Sequence, residues 1–530
     1  MEPGEQHVAL VEALRRPEAY PEHPAAVEMV ETHVSWLFFT GRHVYKVKKP
    51  VDFGFLDFTT LERRRHFCHR EVELNRRLAP SVYLGVVEVR QHSDRVAVEG
   101  PGRTVEYAVK MRQLPRERSM QALLQRGELT AEHVRAVARL VGRFHLQAAT
   151  GPEVVRHGGW GAVRFNVEEN FSQTEPYVGR TLDADTYDEV RASSEAFLEV
   201  RRERFQAREA QGWVRDGHGD LHTAQVFLED GTPQVIDCIE FNERFRYADV
   251  AADIAFLLMD LEFHGRPDLA QVLLEEYLAV TQDPGLVEFL DFYKGYRAYV
   301  RGKVTGFLMD DPRVPPGERE ALRATAGRYF ALARAYAQAA RPRPALYVVM
   351  GLSGTGKTLV ARELARRWGL TYLASDVVRK ELAGIPATEH RWEPYGRGIY
   401  GPEMSARTYA EVARRAEGRL QEGDAVVVDA TCRLAAQRAE LLGAARRAGA
   451  PVYVVHCRTP EEEVRERLEA RVREGATPSD GRWEIYLGQK GEFEAPAEVP
   501  PGALVELDTT GTPREVLARL LRALYGRFLA

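Results

Sequence analysis

Residues 345–358 read ALYVVMGLSGTGKT, an apolar run that leads directly into a glycine-rich loop. From its first glycine, the loop fits the pattern G-x-x-x-x-G-K-[ST] without a mismatch. In this pattern Lys357 reaches the β- and γ-phosphates of a nucleotide, and Thr358 offers a hydroxyl to Mg²⁺. Glycines let backbone N–H groups curl around phosphate oxygens, and these glycines are Gly351, Gly354 and Gly356. The stretch therefore predicts a strand, a phosphate-binding loop and a helix, with ATP or another NTP as ligand.

Apolar strand patterns alternate with helical patterns from this loop onward. The strands are expected at 345–350, 370–374, 425–429, 451–456 and 504–508. This alternation predicts an α/β domain with a doubly wound parallel sheet. The stretch AARPRP at 339–344 precedes the first strand, and its prolines cannot continue a helix. We expect one domain over 1–338, a linker over 339–344 and a second domain over 345–530.

Charged residues follow the predicted strands of the second domain. Carboxyl ends of parallel strands face the ligand crevice, so Asp376 is a candidate base and Asp429 a candidate metal ligand. Arg379 shares a helix face with Asp376 and is a candidate for holding an acceptor anion. A capping aspartate with a solvated arginine is the alternative. Arg467 and Arg471 are expected in a lid over the transferring phosphate, with a solvated helix face as the alternative.

The chain before the linker shows strands first and helices later, which predicts an α+β domain with a small sheet lobe and a larger helical lobe. Lys46 lies in one strand pattern, and Glu71 lies in the helix pattern that follows. A strand lysine paired with a helix glutamate can bind the α- and β-phosphates of a nucleotide. Lys48 shares the strand face of Lys46, and the two could exchange roles.

A second pair of carboxylates lies further along this first domain. Residues 218–222 read HGDLH, Gln225 follows, and Asp237 comes after a short turn. Asp220 is a candidate for orienting an acceptor hydroxyl, and Asp237 is a candidate metal ligand.

These motifs carry two resemblances. Residues 345–530 resemble the small P-loop kinases grouped with polynucleotide kinase, gluconate kinase and zeta toxin. The hydroxyl-activating D-x-x-R element of that group falls on Asp376 and Arg379, and its lid arginines fall on Arg467 and Arg471. The group phosphorylates hydroxyls on acceptors from sugars to nucleic-acid ends. The resemblance therefore implies phosphoryl transfer to a hydroxyl but does not identify the acceptor.

Residues 30–335 resemble the aminoglycoside-phosphotransferase branch of the protein-kinase-like fold. Its H-G-D-x-x-x-x-N loop aligns on 218–225, and its metal-binding aspartate aligns on Asp237. Gln225 stands where that branch has asparagine, and its amide oxygen reaches one methylene further. The resemblance implies a bilobal protein-kinase-like domain followed by a P-loop domain, as in a bacterial family of fused bifunctional proteins.

Composition excludes several other classes of protein. The 530 residues include 73 basic and 78 acidic side chains, for a net charge of -5, so no dedicated duplex-DNA-binding domain is expected. No apolar stretch is long enough to span a membrane, and the N-terminal residues do not read as a secretory signal. The four cysteines are scattered, which argues against a disulfide framework or a zinc site. We expect a cytoplasmic protein, and the oligomeric state stays open.

The leading hypothesis is a kinase with two sites, each of which transfers the γ-phosphate of ATP to an acceptor hydroxyl with Mg²⁺. The acceptor is a small molecule, a sugar, a nucleoside or a nucleic-acid end. One alternative is a polynucleotide 5′-hydroxyl kinase that uses the second domain alone. Another is a nucleotide-sensing regulator whose first domain has lost catalysis through Gln225.

Overall fold

The computed structural model describes residues 3–229, 231–386, 389, 395–474 and 481–530. The strands are β1 (Glu28–Glu31), β2 (Ser35–Phe39), β3 (His43–Lys48), β4 (Tyr83–His92), β5 (Arg95–Val98), β6 (Arg103–Arg112), β7 (Val214–Asp216), β8 (Val226–Glu229), β9 (Thr232–Val235), β10 (Tyr247–Asp249), β11 (Leu346–Met350), β12 (Thr371–Ala374), β13 (Val426–Asp429), β14 (Val452–Arg458) and β15 (Leu504–Asp508).

The α-helices are α1 (Pro3–Leu14), α2 (Leu61–Asn75), α3 (Met120–Gln125), α4 (Ala131–Gln147), α5 (Pro152–Gly158), α6 (Trp160–Thr174), α7 (Ala184–Val200), α8 (Arg202–Ala210), α9 (Glu243–Arg246), α10 (Val250–Phe263), α11 (Pro267–Thr281), α12 (Leu290–Phe307), α13 (Pro316–Ala339), α14 (Lys357–Trp368), α15 (Ser375–Leu382), α16 (Pro402–Gln421), α17 (Ala435–Arg447), α18 (Glu461–Glu474), α19 (Trp483–Gly491) and α20 (Pro513–Leu529). Short 3-10 helices lie at Pro17–Ala19, Arg116–Arg118, Glu175–Tyr177, Thr223–Gln225, Pro284–Phe289, Leu308–Asp310 and Gly398–Tyr400. Within the described residues, no helix combines the length and apolar character that a membrane span requires.

The chain folds into two units, and each is built from two segments of sequence. The first unit comprises Met1–Tyr177 and Arg202–Tyr336, and the second comprises Val178–Arg201 and Ala337–Ala530. The sequence predicts one domain over residues 1–338, whereas in the structure Val178–Arg201 belongs to the second unit. A helical pattern shows that a segment is amphipathic, but it does not show which sheet its apolar face will cover.

An antiparallel six-stranded sheet forms one lobe of the first unit. Its order is β1-β2-β3-β6-β4-β5, which places β3 inside the sheet. The hairpin between β2 and β3 turns at Gly41, whose positive φ of 85° suits glycine. Helix α2 begins at the cap Thr60, whose hydroxyl accepts a hydrogen bond from the Arg63 N–H. These elements bring the charged side chains of β3 and α2 toward each other.

A parallel five-stranded sheet forms the centre of the second unit. Its order is β12-β13-β11-β14-β15, and its paired strands run parallel. Every residue of the central strand β11 is buried, as expected when helices cover both faces of a sheet. Side chains of β11 alternate between two apolar cores, with Tyr347 in one and Val348 in the other. The predicted doubly wound sheet is confirmed.

Helix α7 completes one of these two cores. Its Ala192 and Ala196 pack in the same cluster as Tyr347 and the apolar face of α20. The carboxylate of Glu189 accepts hydrogen bonds from Trp368 Nε1 at 2.9 Å and from the Tyr525 hydroxyl at 2.8 Å. A segment from the first half of the sequence therefore belongs to the hydrophobic core of the second unit.

Candidate active sites

The first unit brings the predicted lysine, glutamate and aspartate together. Lys46 Nζ lies 2.9 Å from Glu71 Oε1 and 2.7 Å from Asp237 Oδ1. Burial alone would lower the pKa of Lys46, but the carboxylates of Asp237 and Glu71 raise it well above its usual value. A charged amine is thus held between two carboxylates.

Lys48 has a different position from Lys46, although the two share a strand face. Its Nζ lies 2.7 Å from Glu71 Oε2 and also contacts Glu240, and its side chain is only 1% exposed. Lys46 also contacts Glu71, but its side chain is 12% exposed and its second partner is Asp237 rather than Glu240. Burial would raise the pKa of Glu71, but the two lysines lower it to about 2. The geometry favours Lys46 for contact with a ligand and leaves Lys48 to hold Glu71.

The HGD loop is braced from behind by a buried carboxylate. Asp253 accepts hydrogen bonds from the His218 N–H at 2.6 Å and from the Gly219 N–H at 2.9 Å. Gly219 has a φ of 87°, and a Cβ there would lie 2.6 Å from the Phe245 carbonyl oxygen. Burial opposes ionisation of Asp220, but the nearby His222 ring lowers the pKa of its carboxyl. Asp220 is therefore held as an ionised carboxylate on a loop that Asp253 anchors.

Gln225, whose side chain is one methylene longer than asparagine, contacts the candidate metal ligand Asp237. Its Nε2 donates to Asp237 Oδ2 at 3.2 Å. Asp237 has a φ of 64°, in the left-handed region that residues other than glycine seldom adopt. Its N–H donates to the Tyr83 hydroxyl at 3.1 Å, which helps to hold that conformation. The side chains at 225 and 237 thus form one polar pair beside Lys46.

The phosphate-binding loop of the second unit lies between β11 and α14, and Lys357 is the first residue of that helix. All three of its motif glycines have positive φ. A Cβ at Gly351 would lie 2.5 Å from Thr355 Oγ1, and one at Gly354 would lie 2.9 Å from Val464 Cγ1. Only glycine fits this path without displacing neighbours, so the predicted loop and the helix after it are both present.

Asp429 ends β13 beside this loop, since it pairs in register with Val349 of β11. Its Oδ2 accepts a hydrogen bond from the Tyr372 hydroxyl at 2.9 Å. Its Oδ1 is buried and has no hydrogen-bond partner within the described part of the chain. A buried carboxylate oxygen without a donor suits a cation or an ordered water as its partner.

A pocket opens next to the loop. It brings Lys357 of α14 together with Asp376 and Arg379 of α15. Arg379 Nη1 donates to the Ile399 carbonyl at 2.9 Å and to Ser405 Oγ at 3.1 Å. Arg379 is buried, so the alternative of a solvated arginine is wrong. Its anchored guanidinium forms part of the pocket wall.

The predicted lid arginines are only partly described. Arg467 donates to Glu463 Oε1 at 2.5 Å and to the Thr509 carbonyl at 2.8 Å. Its Nη1 lies 3.6 Å from where a Cβ of Gly356 would be, so it borders the phosphate-binding loop. The side chain of Arg471 lies outside the described residues.

Several residues that line the pocket were not predicted from the sequence. Arg433 lines the pocket, as do Gln489 and Tyr395. Gln489 Oε1 accepts a hydrogen bond from the Ser353 N–H of the phosphate-binding loop at 2.9 Å. The position of Arg433 after a predicted strand that ends in an aspartate was an available signal, because ligands bind at the carboxyl ends of parallel strands.

Comparison with known proteins gives matches to both parts of the chain. A family model described as "Phosphotransferase enzyme family" matches residues 55–290, and one described as "AAA domain" matches residues 346–496. The uncharacterized protein Rv2004c of Mycobacterium tuberculosis (strain H37Rv) is 33% identical over 405 residues, which cover 76% of this chain and 78% of that protein. The chain belongs to the same family.

This chain combines the two domain types in the expected order. A UPF0200 protein of Aeropyrum pernix is 34% identical over 149 residues, which are 28% of this chain and 73% of that protein. Among solved structures, amicoumacin kinase hAmiN is 15% identical with a TM-score of 0.38, covering 62% of this chain and 93% of that one. A gluconokinase from Sinorhizobium meliloti is 23% identical with a TM-score of 0.26, covering 35% and 93%.

The residue ranges of the two family matches correspond to the positions of the two candidate sites. The lysine–glutamate–aspartate set lies within or beside the phosphotransferase match, and the phosphate-binding loop lies within the second match. The expected two-domain organisation is confirmed, and so is the expectation of a kinase.

Proposed function

We propose that the protein has two kinase sites, one in each unit, and that each transfers the γ-phosphate of ATP to an acceptor hydroxyl. The observation that supports this most is the duplication of the charged set. The first unit holds Lys46 and Asp237 together, and the second holds Lys357 and Asp376 around one pocket. Phosphoryl transfer needs a lysine that binds phosphate, carboxylates that hold the metal ion, as Asp237 would, and a carboxylate that accepts the hydroxyl proton, as Asp376 would.

In the first site, Lys46 binds the phosphates and Asp220 accepts the hydroxyl proton. Asp237 and Gln225 supply a carboxylate and an amide oxygen, which are ligands that Mg²⁺ accepts, and the Asp237 side chain is 43% exposed. The amide nitrogen of Gln225 now faces Asp237, so its amide must rotate for the oxygen to bind a metal. Bound Mg²⁺ would neutralise phosphate charge. Lys48 keeps Glu71 in place when Lys46 turns to the nucleotide.

In the second site, Lys357 and the backbone of the loop bind phosphate, and Asp376 accepts the hydroxyl proton. The Oδ1 of Asp429, which has no hydrogen-bond partner among the described residues, fits a Mg²⁺ ion or a water bound to it, and Thr358 adds a hydroxyl. The described residues contain no group of three or more His, Cys, Asp or Glu side chains suited to a metal. In the proposed magnesium site, nucleotide phosphates and water would supply the remaining ligands.

We also place the protein in the cytoplasm. All four cysteines are buried and free, which supports a reducing compartment; they are Cys68, Cys238, Cys432 and Cys457.

Nucleotide stoichiometry on the full-length chain tests the two-site proposal. Calorimetry with a non-hydrolysable ATP analogue and Mg²⁺ is expected to give two nucleotides per chain. Lys46→Ala and Lys357→Ala should each reduce this to one. A single nucleotide that only Lys357→Ala removes would contradict a working first site.

Transfer assays separate a kinase from a nucleotide-sensing regulator. Labelled ATP is incubated with a panel of sugars, nucleosides and 5′-hydroxyl oligonucleotides. Asp220→Asn should abolish transfer to one set of acceptors and Asp376→Asn transfer to another, because an amide cannot accept the proton. If Asp220→Asn changes no transfer although two nucleotides bind, the first unit is the regulator. If the oligonucleotides are the acceptors and only Asp376→Asn removes transfer, the narrower polynucleotide kinase is correct.

A further inference from the structure

A carboxylate of the chain itself is bound to an arginine of the second site. Arg433, which lines the pocket with Lys357 and Asp376, donates from Nε to Glu492 Oε2 at 3.1 Å. The Tyr395 hydroxyl donates to the same oxygen at 2.7 Å. The Arg433 guanidinium also lies 5.8 Å from the centre of the Tyr395 ring. Arg433 and Tyr395 therefore already form a subsite that accommodates a carboxylate.

The Glu492 carboxylate approaches this subsite from the solvent side. Its side chain is 52% exposed, whereas that of Arg433 is 18% exposed. An ion pair with an exposed partner contributes little to stability, so this contact is readily exchanged. Burial and the hydrogen bond to Glu492 raise the pKa of Tyr395 to about 12, which keeps its hydroxyl a donor at neutral pH. Glu492 thus occupies the subsite without being fixed in it.

The charges around the pocket favour an anion. Its described lining includes three cations, Lys357, Arg379 and Arg433, and one carboxylate, Asp376. Lys357 is assigned to the nucleotide phosphates, and Arg379 Nη1 already donates to Ile399 and Ser405. Arg433 is the cation whose carboxylate partner lies toward solvent. An anion that replaced Glu492 would accept a charge-assisted hydrogen bond from Arg433. Because Arg433 is mostly buried, this hydrogen bond would be less exposed to water than the one to Glu492.

We propose that the acceptor of the second site is a small hydroxy compound with a carboxylate or phosphate group, and that Arg433 and Tyr395 bind this group after it displaces Glu492. The inference rests on the proposed kinase function of the same site. Arg433 is then a specificity-determining residue, separate from the Asp376 that accepts the proton.

Two variants with opposite expected effects test this. Both are made in the full-length chain with Asp220→Asn, which silences the first site. Arg433→Gln should raise KM for an anionic acceptor by about ten- to a hundredfold, the loss of one charge-assisted contact, and leave KM for ATP unchanged. Glu492→Gln should lower KM for the same acceptor severalfold, because the competing carboxylate is gone. Arg433→Lys, which keeps the charge and loses the fork geometry, should fall between wild type and Arg433→Gln.

The acceptors are matched sets on one scaffold: glucose, glucuronate and glucose 6-phosphate, and likewise glycerol, glycerate and glycerol 3-phosphate. Labelled transfer from ATP is measured, and binding is measured by calorimetry with a non-hydrolysable ATP analogue. We expect at least one acid to bind better than its neutral parent, and the carboxylate and phosphate arms show which anion fits. Equal affinity within both sets, binding of none of them, or weaker anion binding in Glu492→Gln would overturn the inference.

ATP binding distinguishes this failure from failure of the proposed function. If the second site binds ATP and Lys357→Ala removes that binding, a negative acceptor result counts only against the anion subsite. If no Lys357-dependent ATP binding occurs, the kinase proposal for this site fails as well.

Discussion

Glu189 offers a direct test of the unexpected composition of the second unit. It lies in α7, in the first half of the sequence, and it is 1% exposed. Its Oε1 accepts hydrogen bonds from Trp368 and Tyr525, and its Oε2 accepts one from Gln338 Nε2 at 2.9 Å. Trp368 is the last residue of α14, the helix that begins at Lys357. Glu189→Ala removes the shared acceptor and leaves buried donors unpaired.

The size of the effect follows from these contacts. A buried donor left without its acceptor costs about 1–3 kcal/mol, and two such donors, Trp368 Nε1 and the Tyr525 hydroxyl, lose theirs. We expect a loss of about 3 kcal/mol in the free energy of unfolding, since partial relaxation lets water reach some of them. For a unit of this size, about 2–4 °C per kcal/mol gives a Tm lower by roughly 6–12 °C.

Calorimetric unfolding of the full-length chain measures this shift. The transition of the second unit is the one whose ATP-dependent stabilisation is lost in Lys357→Ala. Glu199→Ala is the matched control, because Glu199 is exposed on the same helix, and its effect should stay within about 0.5 kcal/mol. Glu189→Gln keeps one acceptor oxygen and should fall between the two. A shift confined to the other transition, or one no larger than that of Glu199→Ala, would refute the assignment of α7 to the second unit.

Three further predictions concern the first unit. Lys48→Met removes one of the two cations on Glu71, so KM for ATP at this site should rise about tenfold with a smaller change in kcat; an unchanged KM would show that Lys48 does not position Glu71. Gln225→Ala removes the contact to Asp237 and should raise the Mg²⁺ concentration needed for half-maximal transfer, whereas an identical Mg²⁺ titration would exclude Gln225 from the metal site. The pKa of Glu71 is about 2 in the folded chain and ordinarily 4.5, so its stabilisation is complete above about pH 4.5 and is lost as the pH falls toward 2. Urea unfolding over this pH range should show that the free energy of unfolding falls more steeply with decreasing pH in the wild type than in Glu71→Gln. Equal slopes of the free energy against pH would contradict the lowered pKa.

The sequence alone was sufficient for features formed by neighbouring residues. The loop from Gly351 to Thr358 depends on consecutive backbone conformations that glycine permits, so its position and the helix after it were predictable. The same holds for the HGD loop around Asp220. The parallel sheet followed from the alternation of strand and helix patterns, which is also a local property.

Other features depended on residues that are far apart in the chain. The sequence favoured Lys46 over Lys48 but left open that the two exchange roles. The structure separates them, because Lys46 contacts Asp237 and the more buried Lys48 contacts Glu240. Arg433 became a binding candidate only when the structure placed it in the pocket with Asp376.

Helix α7 shows the same division between local pattern and distant partner. Its helical pattern was visible, but the sequence did not show that its apolar face would pack on the second unit. Glu189 and Tyr525 are separated by 336 positions, and no local pattern specifies such a contact. Periodicity determines which residues form an element and which face is apolar. The partner of that face is chosen by burial of complementary surfaces in the folded chain, so only the tertiary structure decided it.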